Sequence, residues 1–297
     1  DRLRSRGLGD VYKRQVFDIV NLRKALLKYD ESSRRAVLKF TPDIEHVLKN
    51  YAQYIQPLKR SGIKVCLSIE GGGTGIGFAN LTDVQIADFV AQVQVAVKMY
   101  QLDGIHLRDE GAGYDKTGAP ELDETSYPKL VKALREAMPD IMLTLADDGG
   151  TTAMMDKEQG GIVVGDYIDL AWNVVWDTAV NPWASGSERK PIAGVTKEHY
   201  GGISFYIKPR MTNEEGLFFE NLQDESRIIA LNEGLGKVAV AENIPYRDYI
   251  QEVANVMGIM GLLSCFHDTN NGEYPRYDVN VTETLAASYY FAFRKDW

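Results

Sequence analysis

The sequence predicts an α/β protein built on a parallel sheet, and three observations carry that prediction. Short β-branched runs alternate with amphipathic segments of helical period along most of the chain, a pattern that lays helices over parallel strands. The runs stop at glycine-rich or acidic turns such as Glu70-Gly71-Gly72-Gly73 and Asp147-Asp148-Gly149-Gly150. At 297 residues the chain suits one eight-stranded barrel or two smaller domains. Hydrophobic content of 44% and charged content of 25% are those of an ordinary globular chain. A net charge of -9 argues against nucleic acid or an anionic membrane as partner. No apolar run has the length of a membrane span. Two cysteines, Cys66 and Cys265, make no disulfide framework, and Cys66 reads as a buried thiol in a strand.

The elements follow in order. Residues 1–15, DRLRSRGLGDVYKRQ, are basic in an acidic chain and have no apolar signal core. They resemble translated sequencing-adapter sequence and are set aside, so the native N-terminus and any secretion signal are expected to be missing. Strands are expected at 16–22, 63–69, 103–108, 141–146, 167–173, 203–209 and 237–243, with 35–40 as a hairpin arm. Thr41 and Pro42 supply the start signals of a helix to about Arg60. Thr82 opens a helix through Tyr100 with Ile86, Phe89, Val90, Val93 and Val97 on one stripe. Further helices are read at 127–138, 221–233 and 246–257. Beyond 258, residues 262–266 read as extended and 282–293 as helical. A closed barrel needs eight strands and seven are counted. An open doubly wound sheet is the alternative, without an obvious phosphate-binding glycine signature.

The residues with most chemical content are Leu102–Glu110, LDGIHLRDE. Side chains alternate along a strand, so His106, Arg108 and Glu110 share one face and Ile105, Leu107 and Asp109 the other. Asp103, Gly104 and Glu110 match the Asp-Gly-x-Asp-x-Asp-x-Glu strand of glycoside hydrolase family 18, the chitinases and endo-β-N-acetylglucosaminidases. The chain resembles that family over most of residues 16–260, on its endo-β-N-acetylglucosaminidase-like side. His106 and Arg108 stand where the family has its two inner aspartates, so the motif is degenerate.

The resemblance implies a (β/α)8 TIM-type barrel, with the first strand lost with the native N-terminus, Val16–Leu22 beside the gap and 237–243 across it. Residues 261–297 are expected to form a C-terminal extension packing on the barrel. In the family the substrate's own N-acetyl group is the nucleophile. Glu110 is then the candidate acid, and the aspartate that stabilises the oxazolinium cation is here Arg108. A guanidinium there opposes developing positive charge and favours the carboxylate form of its neighbour. Ala171-Trp172-Asn173 matches strand six of the endo-acting branch, but Val174-Val175-Trp176 follows where a tyrosine is expected. Strand ends also offer Glu70, Asp147, Trp172, Asn173, Trp176, Tyr206, Glu242 and Asn243 as sugar-binding groups, and Trp172, Trp176 and Trp183 as a stacking platform. Asp109 is expected to point toward the helices, and Asp103 to hold the strand. The implied function is recognition of GlcNAc-containing glycans, with weak or no hydrolysis; the alternative is an active hydrolase using Glu110. No metal or cofactor is expected. A monomer outside the cytoplasm is expected, with no nucleic-acid partner and no membrane-spanning segment.

Overall fold

The computed structural model describes residues 19–174, 178–201, 203 and 204. In chain order these form β1 (Ile19–Asp30), β2 (Arg35–Phe40), α1 (Pro42–Lys49), α2 (Tyr51–Arg60), β3 (Lys64–Gly71), α3 (Asp83–Met99), β4 (Gly104–Arg108), α4 (Ser126–Ala137), β5 (Met142–Asp147), β6 (Leu170–Asn173), β7 (Thr178–Ala179), β8 (Tyr200–Gly201) and β9 (Ile203–Ser204). The main sheet runs β2-β1-β3-β4-β5-β6-β8. Every neighbouring pair is parallel except the β1–β2 hairpin. From β1 through β3, β4, β5 and β6 to β8 the parallel strands follow chain order, as a barrel wall requires, and β2 hairpins back outside β1.

The two faces of this wall have different chemistry. Val65, Leu67 and Ile69 of β3, Ile105 and Leu107 of β4, and Leu143 and Leu145 of β5 join one large core with Phe89 and Val93 of α3 and Leu130 and Leu134 of α4. The opposite face is the inward one. Its apolar part is a smaller cluster of Ile19, Cys66, Ala146, Leu170, Trp172 and Val174. Parallel register aligns the inward residues in rows. One row reads Arg23, Ser68, His106, Thr144 and Leu170. One step along, Glu70 pairs with Arg108 and Ala146 with Trp172. Gly104 needs its missing Cβ, because that atom would lie 2.1 Å from the Met142 carbonyl oxygen and 2.9 Å from Cys66 Sγ.

Two acidic residues close the opposite end of the strands by the same device. Asp103, just before β4, accepts the Val65 N–H at 2.9 Å through its side chain and donates its own N–H to the Val65 carbonyl. Lys59, at the end of α2, pairs with it at 3.0 Å. Asp169, just before β6, takes the Leu143 N–H at 2.7 Å, donates to the Leu143 carbonyl and pairs with Arg135 of α4 at 2.7 Å. Asp103 is therefore a strand clamp, far along β4 from Glu110.

Three local differences from the sequence reading have physical causes. The helix expected over 41–60 is two helices, because the Asn50 side-chain amide donates to the His46 carbonyl at 2.8 Å and its backbone leaves the helical region. Thr41 precedes α1 but donates its hydroxyl to the Lys24 carbonyl instead of capping. The parallel neighbour of β6 is Tyr200–Gly201, while Ile203–Ser204 pairs antiparallel with Thr178–Ala179, so the strand expected over 203–209 begins earlier. Thr82 does form a reciprocal cap with Gln85. The elements expected over 221–233, 237–243, 246–257, 262–266 and 282–293, and the segments 1–15 and 261–297, lie outside the described residues. Among the described residues no helix is long and apolar enough to cross a membrane.

Candidate functional site

The chain places a four-residue charged cluster at the inward face where β3 and β4 end. Arg108 Nε lies 2.6 Å from Glu110 Oε2, so the two side chains expected to share a face do so. Arg23 Nη2 approaches the same oxygen at 3.3 Å. Arg23 is also held by Glu70, through Nε to Oε1 and through Nη2 to Oε2 at 3.0 Å. Glu70 is 3% exposed in its side chain, Arg108 10% and Arg23 12%, whereas Glu110 is 52% exposed. Three members are therefore fixed in the wall, and the fourth stands at the rim. Burial, and then the nearby Arg23 charge, pull the Arg108 guanidinium below its ordinary range.

Arg23 was not among the residues expected from the sequence. Its strand reads as ending at Leu22, but β1 runs on to Asp30 with a register shift between Arg23 and Ala25. Arg23 pairs with Ser68 on the inward face and Ala25 with Ile69 on the helix face. The bulge lets one strand send a cation inward and, two residues later, bury an alanine outward.

Local backbone geometry fixes where Glu110 stands. Its N–H donates to the Arg108 carbonyl at 2.8 Å, and its carbonyl accepts from the Gly71 N–H at 2.8 Å. Gly73 and Gly75 continue this ladder onto Gly111 and Ala112. A Cβ at Gly71 would fall 2.2 Å from the Ala112 backbone nitrogen, so the turn after β3 passes the turn after β4 only because residue 71 is glycine. Gly111, at φ 73, takes the left-handed region directly after Glu110.

His106 lies one row below. Its ring stacks on Trp172 with centroids 4.6 Å apart and planes 11° apart, and Nδ1 meets Thr144 Oγ1 at 3.1 Å. Burial, then the Arg108 and Arg23 charges, lower its pKa to about 3. Imidazole here is a neutral packing group beneath the cluster. Trp172 is 1% exposed, so this indole is buried within the wall and is no exposed stacking surface. Its Nε1 is a buried donor without a hydrogen-bond partner among the described residues.

Asp109 turns the other way. Its Oδ1 accepts the Phe78 N–H at 3.2 Å, and its Oδ2 accepts the Tyr114 hydroxyl at 2.6 Å and the Thr151 hydroxyl at 2.7 Å. Burial pushes its carboxyl up, against the pull of those bonds. Asp147 shares that outward parity and does not join the cluster. Its oxygens accept from Thr152 at 2.8 Å and Tyr200 at 2.8 Å, with Arg189 at 3.3 Å. Asn173 is fully buried in register with Asp147 and is likewise turned from the inward face. Trp183 packs edge-on to Tyr200 at 5.3 Å, not beside Trp172. Trp176, Tyr206, Glu242 and Asn243 lie outside the described residues. Of the sugar-binding candidates named from the sequence, Glu70 is thus the described one with its charge at the cluster.

The comparisons agree with this architecture. No protein-family model matches the chain. An endo-β-N-acetylglucosaminidase of Flavobacterium sp. (strain SK1022) is 32% identical over 179 residues, which are 60% of this chain and 56% of that protein. Endo-β-N-acetylglucosaminidase F1 of Elizabethkingia meningoseptica is 29% identical over 159 residues, 52% of this chain and 47% of that protein. The chain spans about half the length of the curated relatives it matches. Among solved structures, Bacteroides thetaiotamicron EndoBT-3987 with Man5GlcNAc product superposes with a TM-score of 0.52 at 27% identity, covering 61% of this chain and 40% of that one.

Proposed function

The chain is similar to the endo-β-N-acetylglucosaminidases of glycoside hydrolase family 18 and carries part of their α/β barrel, and from that premise we propose that it recognises GlcNAc-containing glycans at the barrel mouth with weak or no hydrolysis. The observation that carries this reading is the Arg108–Glu110 ion pair. Substrate assistance places positive charge on the substrate's acetamido group beside the residue two before the acid. A guanidinium there raises the energy of that cation, while an aspartate lowers it. Glu110 is at the same time engaged by two cations. The buried His106 lies deeper in the wall and supplies no anion.

One observation favours the second reading, an active hydrolase. Glu110 is the half-exposed member of the cluster, where a leaving-group oxygen can reach it. Calorimetric titration with an N-glycan core, with mass spectrometry of the same mixture, tests the two together. Binding without a released glycan is the result expected. Release that disappears in Glu110→Gln would favour the hydrolase, and absence of binding would remove both. A location outside the cytoplasm is part of the proposal on family resemblance, and cell fractionation checks it.

A further inference from the structure

We propose that the outer face of α3 is an interface between two copies of this chain, which pair it antiparallel across a two-fold axis at Ala91. This pairing is independent of the glycan site and departs from the monomer expected from the sequence. α3 is apolar on both sides. Ile86, Phe89, Val93 and Val97 face the core. On the opposite side, helical period puts Val84, Ala87, Ala91 and Val95 on one stripe, with Met99 a turn further on. Of the four large hydrophobic side chains exposed among the described residues, three lie here: Val84 at 80%, Val95 at 58% and Met99 at 63%. Ala87 and Ala91 are exposed as well. Apolar residues all round are the pattern of a helix covered on both sides.

Self-complementarity points to a second copy as the cover. In antiparallel pairing, positions equally far before and after Ala91 meet. Ala91 then meets Ala91, which lets the backbones approach. Ala87 meets Val95, small against large, on both sides of the axis. Val84 meets the aliphatic stem of Lys98, an exposed residue, and the Lys98 ammonium reaches Asp83. The Asp83 side chain is 78% exposed even with Lys129 2.9 Å away, so it has room for a second cation. The two helix dipoles also oppose each other. In-register parallel pairing loses all of this, since Val95 would meet Val95 and Lys98 would meet Lys98. Asp88 lies at the edge of the stripe and is paired with Arg35 at 2.7 Å. A single stripe of about 16 Å is small for a specific interface, so the dimer is weak, with a Kd on the order of 100 μM.

Sedimentation equilibrium of the full 297-residue chain, at concentrations on either side of that Kd, tests the inference. The expected result is reversible association that stops at a dimer. Ala91→Glu puts two carboxylates on the axis. It should leave a monomer with an unchanged urea midpoint, because residue 91 is exposed. Lys98→Glu sets like charges against Asp83 and should raise the Kd about tenfold. Asp83→Lys combined with Lys98→Glu restores opposite charges and should recover most of that loss, a rescue specific to the antiparallel arrangement. A monomer at every concentration overturns the proposal, as does association that Ala91→Glu leaves intact. A monomeric parent whose urea midpoint falls in Ala91→Glu would mean that the chain covers this face itself, and overturns it too. A Lys98→Glu loss that the charge swap fails to recover rules out the antiparallel pairing.

Discussion

Asp109 and Glu110 are adjacent carboxylates with opposite situations. Asp109 faces the helix side, is 8% exposed, and has three neutral donors on its two oxygens. Glu110 faces inward, is half exposed, and is held by two cations. Strand parity, not residue type, separates them. The outward carboxylate is built into the structure, because without it the buried Phe78 amide and two partly buried hydroxyls lose their acceptor. The inward one stands at the rim, where water reaches it. The lesson extends across the sheet: Asp147 shares Asp109's parity and is similarly enclosed by Thr152, Tyr200 and Arg189.

The largest effect should come from Asp109. Asp109→Ala leaves the Phe78 amide and two hydroxyls without their acceptor and should cost about 4 kcal/mol, read as a lowered urea midpoint. A loss near that of an ordinary surface change would break the contrast between the two faces. Next is the pH dependence set by His106. Its folded pKa is depressed to about 3 from 6.5, so the unfolded chain takes up the proton first. The stability involved is fully present above about pH 6.5 and is lost as pH falls toward 3. Between pH 7 and pH 4 this amounts to about 3 kcal/mol. His106→Phe keeps a ring against Trp172 and should flatten that part of the stability profile; an unchanged slope would place the acid sensitivity elsewhere.

Asp103→Ala should cost about 2 kcal/mol, since it strands the Val65 amide and releases Lys59. It also separates motif from mechanism, because the loss should appear in unfolding and leave glycan affinity unchanged in the folded protein. Glu110→Gln should change stability least, by under about 1 kcal/mol, as expected for an exposed ion-pair partner. A large loss of stability in that variant would mean that Glu110 holds the mouth together.

Much of this was readable from residue order. The alternation of Ile105, Leu107 and Asp109 against His106, Arg108 and Glu110 placed β4's two faces without coordinates. The same rule, applied to Leu143, Leu145 and Asp147, would have turned Asp147 away from the cleft. Parity also separates Trp172 from Asn173, although both were sequence candidates. Arg23 was hidden for a different reason: the bulge before Ala25 resets parity mid-strand, and alternation carries no warning of such a reset. The alternating Ala25, Leu27 and Tyr29 were the available signal that the strand continued. Asn50 broke a helix that periodicity joined, because its side chain competes for a main-chain carbonyl. Stacking of His106 on Trp172 joins strands 66 residues apart in sequence, and only register brings it to light.

The most direct test of the account is glycan release by the unmutated chain and by Arg108→Asp, followed by mass spectrometry of an N-glycan substrate. The account predicts binding with no detectable release by the unmutated protein. It predicts at least a trace of release once the guanidinium at 108 becomes a carboxylate, because the acetamido cation then has an anion beside it. Robust release by the unmutated protein, abolished by Glu110→Gln, would contradict it.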